Sequence, residues 1–201
     1  MVNYIMNWLV FLILIVWIYM LFTMKRADMG VWYFMFGSVG FFVFAMIIIE
    51  PFIVEPLEKA VAASAGLFGE LTGIYDSYFQ QGILFIESGT ESLSLYIDFE
   101  CSGVIEILAF LALLWFFPVY EVYERVVVST VGIFAIYIAN VARIFLICLL
   151  IHWFGNDMYF FAHTIFARIF FYACTVILYF YVFTKPQIVR QKVGAFHYDR
   201  N

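Results

Sequence analysis

Cys101, Arg143 and His163 are residues whose types could together break an acyl bond. A thiolate attacks a carbonyl, an imidazole with a reference pKa near 6.5 moves the proton, and a guanidinium steadies the charge on oxygen. Cys101 stands in "DFECSGVIEI", where an alternating stretch gives way to an apolar run. A helix beginning there would present free backbone N–H groups and a partial positive charge, an environment that favours a thiolate. Ser102 suits the entry to such a helix, and Gly103 permits a tight turn or close approach. The plainer reading of Cys101 is a small buried hydrophobe, and Cys148 and Cys174, each inside apolar sequence, are expected to be that.

Arg143, in "IANVARIFLI", is expected about 12 Å below the outer end of an apolar span at 1.5 Å per residue. A charge there costs roughly 2.5–3.5 kcal/mol on insertion scales, so it faces the bundle interior and needs a partner. Asn140, three residues earlier, shares its helical face. Glu106, an acid within the preceding apolar run, is the structural alternative for pairing with Arg143, and a pair with Glu106 is also the expected role of Arg168. His163 opens the last apolar run in "FAHTIFARIFF". His152 competes with it from the same outer loop, whereas His197 is expected in the opposite, cytoplasmic tail.

The elements that must position these residues are membrane helices. The chain has 201 residues, 66% hydrophobic and 12% charged, with mean hydropathy +1.00, outside the range of a soluble domain. A net charge of -5 and the absence of a basic patch with interleaved aromatics argue against a nucleic-acid partner. Three cysteines cannot all pair with one another, and no Cys/His spacing suggests zinc. About five spans are expected in one polytopic membrane domain of 1–201, near 4–24, 31–49, 103–117, 126–151 and 163–184, with an outer segment over 50–100 and a tail over 185–201. No Lys or Arg precedes the first run, which reads as an anchor rather than a cleavable signal. An outside N-terminus then puts Lys25, Arg26, Arg125, Lys185, Arg190, Lys192 and Arg200 in the cytoplasm and leaves Lys59 outside. Asp98, Glu100 and Asp157 are among the many acids that fall outside.

Within the outer segment, Leu57, Ala60, Val61, Ser64, Phe68 and Leu71 recur at helical spacing. They imply an amphipathic helix, lying on the outer leaflet or packed on the bundle. Farther on, Leu93, Leu95, Ile97 and Phe99 alternate with polar residues up to Glu100, as in one strand of a hairpin. The fold class is thus an all-α membrane bundle carrying one outer helix and a short β-hairpin before the third span.

"ECSGV", "NVAR" and "AHTIFAR", in that order, resemble the exosortase and archaeosortase family of membrane cysteine transpeptidases, most of all its short Gram-positive branch. "LTGIYDSYFQQGILFIESG" also looks like that family's segment before its cysteine, so the likeness extends over approximately residues 60–175. The resemblance implies Cys101 as nucleophile, Arg143 as electrostatic stabiliser or substrate clamp, and His163 as proton carrier; no recognised ligand spacing supports a metal, and no cofactor is expected. Its implied partners are a secreted precursor with a C-terminal transmembrane sorting signal, membrane lipid, and an amine or lipid acceptor. Many relatives have more spans, and Glu106 is not a family position. Two rival readings remain: a small transporter or channel subunit using Glu106, Arg143 and Arg168, and a non-catalytic envelope assembly protein. The first requires Glu106 and Arg168 to matter more than Cys101, and the second requires no single polar residue to matter.

Overall fold

A computed structural model of the chain describes residues 2–88, 91–97 and 99–194. Asp98, His197 and Arg200 lie outside the described residues. Two antiparallel apolar helices open the chain, α1 (Val2–Arg26) and α2 (Gly30–Ile48). They lock where small meets large: a Cβ on Gly40 would fall 1.9 Å from the Trp17 indole nitrogen, and that indole donates to the Phe36 carbonyl at 3.0 Å. Gly37 receives the Phe116 ring in the same way.

Helix α3 (Glu50–Thr72) follows, with proline in its first turn and a left-handed cap at Gly73, φ +67°. It packs on the bundle rather than standing apart. Its buried face is Val61, Ala62, Ala65, Gly66 and Gly69, which differs from the expected stripe: Phe68 and Leu71 are exposed. Small residues won because the chain at Tyr75 and Ser77 presses on them. A Cβ on Gly69 would lie 2.4 Å from the Tyr75 carbonyl oxygen, and one on Gly66 would lie 2.6 Å from the Ser77 Cβ.

The element pressed there is a sheet of three antiparallel strands, β1 (Tyr75–Tyr78), β2 (Ile83–Ser88) and β3 (Glu91–Tyr96), in the order β1-β2-β3. The register sets Leu84 against Leu95 and Ile86 against Leu93. Alternation buries Leu84, Ile86, Leu95 and Ile97 in the core shared with α3 and α6 and leaves Ser94 and Tyr96 exposed. The expected hairpin is therefore present with a third strand added. The strand expected to run through Glu100 stops sooner, because Phe99 and Glu100 belong to a helical turn, α4 (Phe99–Ser102).

Three further helical stretches complete the bundle: α5 (Val104–Phe116), α6 (Val122–Phe154) and a last one from Asn156 to Val189. That stretch contains α7 (Ala167–Tyr179), a π-helical turn on each side of it (Phe161–Phe166 and Phe180–Thr184) and the beginning of α8 (Lys185–Gly194). Four of these helices are long and apolar enough to cross a bilayer, whereas α5, at 13 residues, is about 20 Å long against a core of about 30 Å. The chain is a multi-pass membrane protein. Lys25, Arg26, Arg125 and Lys185 lie at the helix ends opposite the sheet. At the sheet's end the core joins Val61 and Ala65 of α3, Leu84 and Ile97 around the strands, Ile144 and Cys148 of α6, and Cys101.

Candidate active site

The turn that carries Cys101 is defined by its backbone. After the Ile97 N–H donates to the Gly82 carbonyl at 2.8 Å, the chain leaves the sheet and winds through α4. Ser102 Oγ donates to the Phe99 carbonyl at 2.7 Å and accepts from the Val104 N–H at 3.3 Å. Gly103 then adopts φ +81°, a left-handed conformation that glycine enters without strain and that separates α4 from α5. This modifies the sequence expectation. Cys101 sits in a separate turn ahead of the span helix, whose first residue is Val104.

Helix α6 grips that turn from the side with the residues expected to share one face. Asn140 Nδ2 donates to the Cys101 carbonyl at 2.7 Å, and Arg143 Nη2 donates to the Glu100 carbonyl at 3.2 Å. Both side chains are buried, Asn140 fully and Arg143 to 8% exposure. The Arg143 guanidinium also lies over the Phe171 ring, 4.9 Å from its centroid, a cation–π contact that partly replaces lost hydration. Its Nε has no hydrogen-bond partner among the described residues, and neither has Asn140 Oδ1. Such buried polar atoms carry a desolvation cost until something meets them.

His163 comes from the last crossing, on the π-helical turn. A π-turn widens the helix locally and re-aims its side chains. His163 Nε2 stands 3.5 Å from Cys101 Sγ, joining residues 62 positions apart. Behind it, the Tyr159 ring stacks on the imidazole with centroids 5.6 Å apart and planes 15° apart.

The other sequence candidates fall elsewhere. His152 lines a separate polar cleft of about 360 Å³ with Glu70, Asp76 and Gly73. Arg168 does not pair with Glu106; its Nη2 lies 3.8 Å from Glu100 Oε2, both side chains being substantially exposed. Arg143 forms no ion pair with Glu106 either, among the described residues. Glu106 is half-buried in the first turn of α5, where the helix dipole itself favours an acid. Cys148 is fully buried in the core, Cys174 is half-buried on α7, and no disulfide joins the three cysteines.

Tyr159 and Phe171 were not singled out from the sequence. Tyr159 had a readable signal, since it stands four residues before His163 and so shares a helical face with it. Phe171 had none, because its contact with Arg143 depends on how α6 and α7 pack.

A thiol in contact with an imidazole, beside a buried guanidinium, is an arrangement able to support acyl transfer. No curated protein and no solved structure matches the chain. Residues 1–180 match the model of the transmembrane exosortase family (Exosortase_EpsH). With most of its length covered by that match, the chain belongs to the transmembrane exosortase family.

Proposed function

We propose that this protein is a cysteine peptidase or transpeptidase that cleaves the C-terminal sorting signal of secreted proteins at the extracytoplasmic membrane face. The observation that carries the reading is the 3.5 Å approach of Cys101 Sγ to His163 Nε2. The family's membrane character and the burial of Arg143 beside that pair support it. An extracytoplasmic site is supported by Lys25, Arg26, Arg125 and Lys185 at the opposite helix ends, because the positive-inside rule favours the cytoplasm for such residues.

The substrate is a secreted precursor whose C-terminal transmembrane helix and basic tail hold its scissile peptide at the outer headgroups. Cys101 attacks the scissile carbonyl carbon as a thiolate, forming the C–S bond and leaving an electron pair on oxygen. The Arg143 guanidinium faces that charge as a fixed donor. When the C–N bond breaks, the proton on His163 passes to the departing amine, and a thioester remains on Cys101. Water or an amine, including an amine on a lipid head group, then attacks the thioester. His163 takes the proton of that acceptor, the C–S bond breaks, and the thiolate returns.

The test compares native cells with cells carrying Cys101→Ala at equal protein level, by mass spectrometry of membrane and released proteins. The expected result is one or more secreted proteins retained with their C-terminal helix and basic tail intact in the variant. Unchanged processing of all such proteins would overturn the reading.

A further inference from the structure

We infer that Tyr159 is a positioning residue for the Cys101–His163 pair. The inference rests on the functional reading above and extends it to a residue outside the resembled motifs. His163 stands on a π-helical turn and is only half-buried, so its own helix does little to fix the ring's rotation. A broad, nearly two-fold torsion governs such a ring unless something packs against its face. Tyr159 supplies that face. Its ring lies nearly parallel to the imidazole, at 15° and 5.6 Å, from the turn before the π segment. Cys101 approaches the imidazole at Nε2, on the ring edge, so the stack leaves the reactive nitrogen unobstructed while limiting rotation about χ2. The contact is made by the aromatic face, and the phenol hydroxyl is not needed for it.

Among the described residues, the charged groups on the elements around the pair include Arg143 on α6, the Glu100–Arg168 ion pair across α4 and α7, and Asp157, two residues before Tyr159 in the chain. None of them changes in the variants proposed.

The experiment uses purified full-length protein with Cys148→Ala and Cys174→Ala, so that iodoacetamide alkylation reports Cys101 alone. The rate is measured from pH 5 to 9 in four versions: this background, Tyr159→Phe, Tyr159→Leu and His163→Ala. Tyr159→Leu is expected to slow alkylation at pH 7 by about two- to tenfold, the range of an aromatic pair, and to move the midpoint of its pH profile toward that of His163→Ala. Tyr159→Phe is expected to stay within about twofold of the background, since it keeps the aromatic face. If His163→Ala slows the reaction and Tyr159→Leu does not, the positioning role is overturned while the catalytic reading stands. If His163→Ala itself changes nothing, the catalytic reading falls first. Loss in Tyr159→Leu that Tyr159→Phe shares would also overturn the inference. Melting temperature, read on the same samples, excludes the case in which Tyr159→Leu is simply unfolded, for Tyr159→Phe then still has to match the background.

Discussion

Asn140 donates its amide to the carbonyl oxygen of Cys101 at 2.7 Å, and the same amide packs where a Cβ on Gly103 would lie, 3.4 Å away. One side chain on α6 thus fixes the peptide that carries the thiol and the left-handed turn that follows it. Three residues farther along α6, Arg143 holds the neighbouring carbonyl of Glu100 at 3.2 Å. The turn is clamped at two successive carbonyls by one face of one helix.

Asn140→Leu removes the first clamp while keeping the volume. The Cys101 carbonyl then loses its partner, and stability should fall by about 1–3 kcal/mol, measured as a lower melting temperature in detergent. Cys101 alkylation should also become slower, since the thiol drifts from His163. Asn140→Asp should not rescue it, because a carboxylate cannot donate to a carbonyl.

Arg143→Lys keeps the charge but not the planar fork. The guanidinium meets the Glu100 carbonyl and the Phe171 face together, two contacts that an ammonium does not reproduce. Processing of the precursor should fall by about 10²–10³ in Arg143→Gln, the size of losing one oxyanion donor. Arg143→Lys should recover only a small part of it, read as the rate at which precursor is converted in pulse-chase.

Glu106 and Arg168 do not form the expected pair, and their exchange should be mild. Arg168→Gln releases an exposed partner of Glu100 at 3.8 Å, and such pairs are worth about 0–1 kcal/mol. Glu106→Gln keeps the shape of a half-buried residue in the first turn of α5. Both variants should process precursor within about threefold of native, a shift below the ~1 kcal/mol scale of such contacts. Abolished function in either, with Cys101→Ala active, would favour the transporter reading instead.

Tyr75 ties β1 to α3 by donating to the Ala65 carbonyl. Burial pushes its phenol above the ordinary range, with the neighbouring Cys148 adding to the effect. The folded protein therefore binds this proton more tightly than the unfolded chain does. The stability it gives is complete below about pH 10, the unfolded value, and is lost as pH rises above it. Tyr75→Phe should lower the melting temperature at pH 8, and it should melt with less dependence on pH between 9 and 11 than the native protein.

Much of the site was legible because membrane sequence is constrained. A buried Arg143 must find partners, Asn140 at i−3 must share its face, and glycine after the cysteine must turn the chain; all three constraints act locally. What escaped was set by packing between elements. The Arg168 partner depends on which acid the α4 turn carries outward. The buried face of α3 was misread for a similar reason. Hydrophobic spacing favoured Phe68 and Leu71, but the close approach of Tyr75 and Ser77 needed the glycine and alanine face. A first strand as short as Tyr75–Tyr78 has too few residues to show alternation.

The most direct test of a catalytic thiol is the dependence of Cys101 on His163 in the living membrane. Cells would carry the Cys148→Ala, Cys174→Ala protein, with and without His163→Ala, and be exposed to a small membrane-impermeant methanethiosulfonate at pH 7. Labelling of Cys101 should be rapid in intact cells and at least about tenfold slower without His163, because a free thiol is only a few per cent thiolate at that pH. Equal rates in the two proteins, or labelling that appears only after the cells are broken open, would contradict an outward-facing Cys101–His163 nucleophile.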